Sequence, residues 1–299
     1  MVAWAAKDFA ARGIDSARLD AELLVSEALS LDRVRLYMDL DRPLDEAERG
    51  AIRELVKRRR RREPVAYILG RREFYGRRFE VSPAVLVPRP DTETLVERAL
   101  ELMPSGAELR VLDLCAGSGA IGVTLAAERP ETHVDLADLS PPALEVAEAN
   151  AKLNDVEVSL LQGDLFAPVQ GRYDLIVTNP PYVTEGELGE LSPEVRDHEP
   201  KMALVSGTTG FEMHDRIAAG AEAHLTSDGT LLIEVGAGQA EELERRLVSL
   251  PWVKRTKIHE DLGGIARVVE ASGRARDPDP ESRLGDGEQA SEEEEPRSE

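Results

Sequence analysis

Asn179-Pro180-Pro181-Tyr182 closes the apolar run Leu175-Ile176-Val177-Thr178, and its groups suit methylation of a planar, weakly basic nitrogen. An amide or exocyclic amino nitrogen has its lone pair delocalised, so it attacks a methyl donor only when fixed acceptors hold and polarise its N–H bonds. The Asn179 side-chain oxygen and the Pro180 carbonyl can each accept one N–H of an –NH₂ group, and Tyr182 offers a flat face to its plane. Pro180 and Pro181 each fix φ, and Pro180 also drives Asn179 out of the helical region, so the loop is stiff. For the Asn-Pro-Pro triplet alone, a strand ending in a rigid turn is the plain structural alternative.

A second group of residues could hold the donor. Val111-Leu112-Asp113-Leu114-Cys115-Ala116-Gly117-Ser118-Gly119 reads as a short strand running into a glycine-rich turn and then a helix of small residues. Gly117 and Gly119 permit positive φ and close backbone approach. A pyrophosphate binder has no use for a carboxylate at this strand end, because glycine loops and helix N-termini attract anions. Asp113 is therefore expected to face the amino group of a methionine-derived donor, with Cys115, Ala116, Gly117, Ser118 and Gly119 giving the loop its contacts. Asp138, about twenty residues beyond the glycines, stands where a carboxylate meets ribose hydroxyls, while Ser140 is the better N-cap for the helix opened by Pro141-Pro142. Asp164 reads either as a turn residue or as an acceptor for an adenine amino group, with Leu165 and Phe166 flanking the ring.

The elements that must position these groups follow from periodicity. Strands are expected at 109–114, 134–137, 156–161, 173–178, 230–235, 253–259 and 266–270, with helices between most of them. That alternation predicts an α/β fold: a Rossmann-like, seven-stranded, mostly parallel sheet with the last strand antiparallel. Asp113, Asp138, Asp164 and Asn179 would share its C-terminal rim. Apolar residues at helical spacing over 17–29 and 45–56 predict a small N-terminal helical domain over 1–72, with Leu19, Leu23, Leu24 and Leu29 in its core. Residues 73–88 read as a β-hairpin linker turning at Gly76, and residues 89–270 as the catalytic domain. The run Lys57 to Arg62 reads as a cationic helix C-terminus or as a docking surface for an acidic partner or phosphate backbone. Residues 183–213 are long enough for a lid or a solvated loop.

On these residues the chain resembles the peptide chain release factor N5-glutamine methyltransferases. The resemblance is carried by Pro64-Val65-Ala66-Tyr67-Ile68-Leu69-Gly70, Phe74-Tyr75-Gly76, Val87-Pro88-Arg89-Pro90-Asp91-Thr92-Glu93, the glycine loop, Asn179 to Tyr182, Glu199-Pro200 and Glu234-Val235-Gly236-Ala237-Gly238-Gln239. Cys115-Ala116 departs from the Gly-Thr common in that family, and Leu165 from a large aromatic. The resemblance implies a class I S-adenosyl-L-methionine-dependent methyltransferase fold. It also implies transfer of the donor's methyl group to the glutamine amide of the Gly-Gly-Gln motif in bacterial release factors, which would be its protein partners. Asn179 and the Pro180 carbonyl would then grip the substrate amide, Pro181 and Tyr182 would pack beside it, and Asn179 would also border the donor. The helical domain would help to recognise the factor, and Arg89 and Glu93 would meet the donor's methionine end. Two other readings stay open: methylation of an adenine or guanine amino group in nucleic acid, and a non-catalytic donor-binding regulator.

Composition bears on the choice. A formal net charge of −21 on 299 residues argues against stable binding to nucleic acid, whose affinity comes largely from neutralising phosphates. Residues 271–299 hold ten acids against four basic residues, so −6 of that charge falls there. Their Gly, Pro, Ser and Glu content predicts a disordered acidic tail. No apolar run approaches the roughly 20 residues of a membrane span, and the first residues do not read as a signal peptide. A cytoplasmic monomer is expected. The lone Cys115 is expected to fill a tight turn rather than react, and the five histidines show no metal-ligand spacing, so no metal is expected.

Overall fold

The computed structural model describes residues 1–38 and 42–273. Its N-terminal part is helical: α1 (Val2–Ala10), α2 (Ala17–Leu29), α3 (Arg33–Met38), α4 (Glu46–Arg60) and α5 (Val65–Leu69). Phe9, Leu24, Ile52 and Val56 are buried together at its centre. On α2 the buried face is Ala17, Ala21, Leu24 and Val25, at helical spacing; Leu23 and Leu29 are half-buried, and Leu19 points outward instead of joining the core. A reciprocal cap opens α4, the Asp45 carboxylate accepting the Glu48 N–H and the Glu48 carboxylate the Asp45 N–H, which satisfies two otherwise unpaired backbone donors. The helix passes the expected end at Val56 and takes in Arg58, Arg59 and Arg60, which pair with Glu63, Asp20 and Asp8.

The hairpin is shorter and earlier than its sequence suggested: β1 (Arg71–Phe74) pairs with β2 (Arg77–Glu80), and 81–87 is not strand. Tyr75 and Gly76 both take positive φ, 50° and 68°. Such a two-residue turn pairs Phe74 with Arg77, so the strands must be symmetric about it. Phe74 and Phe79 then meet edge to face and enter the core of the following domain.

After the helical turn Pro90–Thr92 and α6 (Glu93–Leu102), the chain builds the sheet: β3 (Arg110–Leu114), α7 (Ala120–Glu128), β4 (His133–Asp138), α8 (Pro141–Leu153), β5 (Ser159–Gln162) and β6 (Tyr173–Thr178). A segment with the two-residue β7 (Val183–Thr184), α9 (Pro193–His198) and β8 (Val205–Gly207) follows. Then come α10 (Glu212–His224), β9 (Leu225–Glu234), α11 (Ala240–Val248), β10 (Arg255–Glu260) and β11 (Ala266–Ser272). The seven strands lie in the order β10-β11-β9-β6-β3-β4-β5, and β11 runs antiparallel to both neighbours. The expected seven-stranded sheet with an antiparallel last strand is present. β11 extends to Ser272, so the buried Ala271 and Ser272 belong to the sheet rather than to the tail. Residues 274–299 of that expected tail lie outside the described residues.

Alternation sends side chains to two cores. Val111, Leu175, Val177 and Leu232 pack under α6, α7 and α8, while Leu112, Ile176, Leu231 and Ile233 pack under α10 and α11. Parallel strands buried on both faces read as continuous apolar runs, which is how β6 and β9 appear in the sequence. Among the described residues no helix is long and apolar enough to cross a membrane.

Candidate active site

The C-terminal rim of β3, β4 and β6 opens into a mostly apolar cavity that communicates with solvent. Cys115, Ala116, Gly117, Ser118, Asp138, Asp164, Leu165, Asn179 and Pro181 all line it, so residues far apart in the chain meet there. Asp113, Gly119, Pro180 and Tyr182 do not.

Asp113 sits on the α7 side of β3 and is fully buried. Alternation turns its carboxylate beneath the glycine loop, where Oδ2 accepts the Gly122 N–H at 2.9 Å. It therefore does not face the cavity; it holds the N-terminus of α7 from below. Burial pushes the carboxyl up to about 7 against the pull of that N–H, and Oδ1 has no partner. Gly119 is the N-cap of α7, with φ 75°, and a Cβ there would come within 3.2 Å of Ala147, Leu136 and Val123. It brings helix and strand together rather than touching a ligand.

Asp138 faces the cavity and ties its floor. One oxygen accepts the Gly117 N–H at 2.8 Å and the other the Ser140 N–H at 2.9 Å; Ser140 caps α8 through Ala143, as its sequence position suggested. Asp164 pairs with Arg216 at 2.7 Å, both half exposed, leaving its second oxygen for a ligand. Leu165 reaches the cavity with φ 48°. Phe166 does not flank it: its ring stacks on His224 at 4.7 Å and packs on Gly220.

At the end of β6, the Asn179 side chain donates from Nδ2 to the Thr92 hydroxyl at 3.2 Å, which leaves Oδ1 available. Thr92 is buried, and its hydroxyl faces the Glu234 carboxylate at the end of β9. Burial lifts Glu234 to about 7, and its Oε2 has no partner. Tyr182 turns away from the cavity toward β9, its ring so close to Gly236 that a Cβ there would lie 3.2 Å from it. Gln239 pins this side, donating to the Tyr182 carbonyl at 3.1 Å and accepting the Gly236 N–H at 2.9 Å.

The segment 183–213, read as a lid or a solvated loop, sends Pro200, Met202, Ala203 and Met213 to the cavity wall; which of its residues do so was not legible in the sequence. Glu199 binds Arg89 at 2.7 Å, so Arg89 lines the site already paired, while Glu93 is drawn off to the Tyr75 N–H of the hairpin turn. Asn150, fully buried on α8, donates to the Ser118 and Glu80 carbonyls and accepts the Glu80 N–H. It joins hairpin to glycine loop, and a polar residue on the apolar face of a helix was the available signal. Tyr67 donates to the carbonyl of Val85, a residue of the cavity wall.

The cavity fits an adenosyl sulfonium donor. Its two lining carboxylates, Asp138 and Asp164, can accept from hydroxyl and amino groups, and their charge suits a cationic ligand.

Comparison with known proteins agrees. The PrmC N-terminal domain family matches residues 1–70, and the methyltransferase small domain family matches residues 92–192. The release factor glutamine methyltransferase of Geobacter sulfurreducens is 46% identical over 272 residues, covering 89% of this chain and 93% of that protein. That of Cereibacter sphaeroides is 43% identical over 264 residues, covering 88% and 93%. Among solved structures, a methyltransferase from Pyrococcus furiosus superimposes with TM-score 0.50 at 20% identity, over 67% of this chain and 90% of that one, a likeness of fold alone. With relatives this similar along nearly their whole length, and with Asn179, the glycine loop and Asp138 gathered at one rim, the chain belongs to the release factor glutamine methyltransferase family.

Proposed function

We propose that this chain transfers a methyl group from S-adenosyl-L-methionine to the side-chain amide nitrogen of the glutamine in the Gly-Gly-Gln motif of bacterial peptide chain release factors. The observation that carries the reading is the position of Asn179-Pro180-Pro181-Tyr182, at the end of β6 and beside the glycine-loop cavity, in a member of this family. When bound, S-adenosylmethionine supplies an electrophilic methyl group. Asp138 is assigned to the ribose hydroxyls, Asp164 and Leu165 to the adenine end, and the backbone and side chains of Cys115, Ala116, Gly117 and Ser118 to the donor's remaining surface. Asp113 and Gly119 act through the loop they shape.

The acceptor side is assigned to Asn179 and the Pro180 carbonyl, each taking one N–H of the glutamine amide, with Pro181 as an apolar neighbour, while Tyr182, packed on Gly236, braces the loop from behind. Thr92 supports the polarity of this arrangement. By accepting from Asn179 Nδ2 it commits the oxygen of Asn179 to the substrate, and an acceptor is what an –NH₂ group needs. Catalysis is then mainly positioning, for which alignment at a near-attack distance is worth on the order of 7 to 11 kcal/mol at best. No strong base is required, since methylation acidifies the nitrogen and its proton leaves to water.

The test is methyl transfer from labelled S-adenosylmethionine to a purified bacterial release factor, beside a factor whose Gly-Gly-Gln glutamine is replaced. Label on the first and none on the second is expected. Equal labelling of both would overturn the assignment, and label on nucleic acid instead would revive the amino-group reading.

A further inference from the structure

The basic run at the end of α4 is engaged inside the protein. Arg58 pairs with Glu63 and Arg60 with Asp8, within the helical domain. Arg59, 3% exposed, reaches Asp20 on α2 at 2.7 Å and Glu194 on α9 at 2.8 Å. Arg62 joins Glu194 at 2.7 Å and donates to the Arg12 and Gly13 carbonyls. The ring of His198, at the far end of α9, lies 3.0 Å from the Arg61 carbonyl. This six-residue helix is thus fastened at both ends to the helical domain. The next residues are Glu199, bound to Arg89, and then Pro200, Met202 and Ala203, three of the residues that wall the cavity.

We propose that Arg59 and Glu194 are positioning residues for the methyl donor: by clasping α9 to the helical domain, they hold Pro200, Met202 and Ala203 in the cavity wall. The inference rests on the assignment of this cavity to S-adenosylmethionine. It gives the arginine run a definite task and makes donor affinity depend on how the helical domain sits. The clasp can be opened without stranding a buried charge, because Arg59 without Glu194 still has Asp20. Loss of the bridge then acts on the wall and leaves the core of the helical domain paired.

The experiment is calorimetric titration of the full chain with S-adenosylmethionine, combined with methyl transfer at saturating donor and release factor. Glu194→Ala should raise the donor Kd about five- to tenfold, the scale of mutations along a coupled network, while kcat stays near the wild-type value. Arg62→Gln, which removes one of the two arms on Glu194, should raise it less, and it carries the test if Glu194→Ala does not fold. Arg60→Gln, whose partner Asp8 lies in the same domain, should leave Kd unchanged. An unchanged Kd in folded Glu194→Ala, or an equal rise in Arg60→Gln, overturns the clasp. Donor binding undiminished by Asp138→Ala would instead overturn the assignment of the cavity.

Discussion

Asn179→Ala and Thr92→Val separate the holding of the substrate amide from the orienting of its holder. Asn179→Ala removes an oriented acceptor, a loss of about 3 to 4 kcal/mol by analogy with oxyanion-hole donors, or two to three decades in kcat at roughly 1.4 kcal/mol per decade. Thr92→Val is nearly isosteric at a buried position and deletes the hydroxyl that receives Asn179 Nδ2 at 3.2 Å. One neutral hydrogen bond is worth about 1 kcal/mol net. Once it is gone, the Asn179 amide is free to turn over and offer the substrate an N–H where it needs an acceptor. A loss of about fivefold in kcat follows from that energy. Because Thr92 acts through Asn179, the double variant should be no slower than Asn179→Ala alone, a non-additivity expected of groups in one network. The assay is single-turnover methyl transfer to a release factor under saturating donor. Additive losses in the double variant, or wild-type kcat in Thr92→Val beside a crippled Asn179→Ala, would refute the orienting role. Full activity in Asn179→Ala would refute the assignment of the pocket itself.

Other outcomes follow from the same geometry. Burial raises Asp113 and Glu234 to about 7 in the folded protein, against roughly 4 in the unfolded chain. The folded state therefore holds extra protons between those values, and stability falls as pH rises through that window and levels above it. The thermal midpoint should be higher near pH 5.5 than at pH 8, and a branch still equally steep in Asp113→Asn would count against Asp113 as a source. For Glu270, burial pushes the carboxyl up but His259 and Arg98 outweigh it and bring it to about 2, so its contribution is lost as pH falls from roughly 4 through 2. Gly122→Ala would set a Cβ 2.2 Å from Leu136 and 3.1 Å from the Asp113 carboxylate. A cost of about 1 to 3 kcal/mol should appear as a lower urea midpoint, and an unchanged midpoint would show that the strand and helix separate freely. Burial, with Asp138 beside it, raises the Cys115 thiol to about 12. Its reaction with a disulfide reagent at pH 8 should be at least about a hundredfold slower in the native protein than in urea, and comparable rates would show that the half-buried thiol is reached and ionised from the cavity.

Much of this molecule is legible locally. Apolar runs place the seven strands and a 3.6-residue period places α2 and α4 of the first domain, while α1, α3 and α5 were not separately legible, because burial on a sheet or helix face imposes those patterns on apolar residues. Asn-Pro-Pro-Tyr and the glycine loop announce themselves by stiffness and by the absence of side chains, both properties of the residues themselves. Boundaries held less well. The hairpin began earlier than expected because the Tyr75-Gly76 turn sets its register, and β11 ran on through Ala271 and Ser272 because two neighbouring strands were there to pair with it.

What spacing could not supply is direction and partnership. Asp113 carries the residue type and position of a donor ligand, yet the pleat of β3 turns it under the loop toward Gly122. Tyr182 follows the stiff prolines but is drawn to the gap left by Gly236, and Phe166 to His224 on α10. Arg58 to Arg62 look like an outward-facing cationic patch, whereas Asp8, Asp20, Glu63 and Glu194, from four different stretches of chain, take up Arg58, Arg59, Arg60 and Arg62. Residue type and period are properties of the chain and survive in one dimension. Which carboxylate meets which guanidinium, and which face of a strand meets the cavity, depend on elements brought together from as far as 135 residues apart, and only tertiary packing decides them.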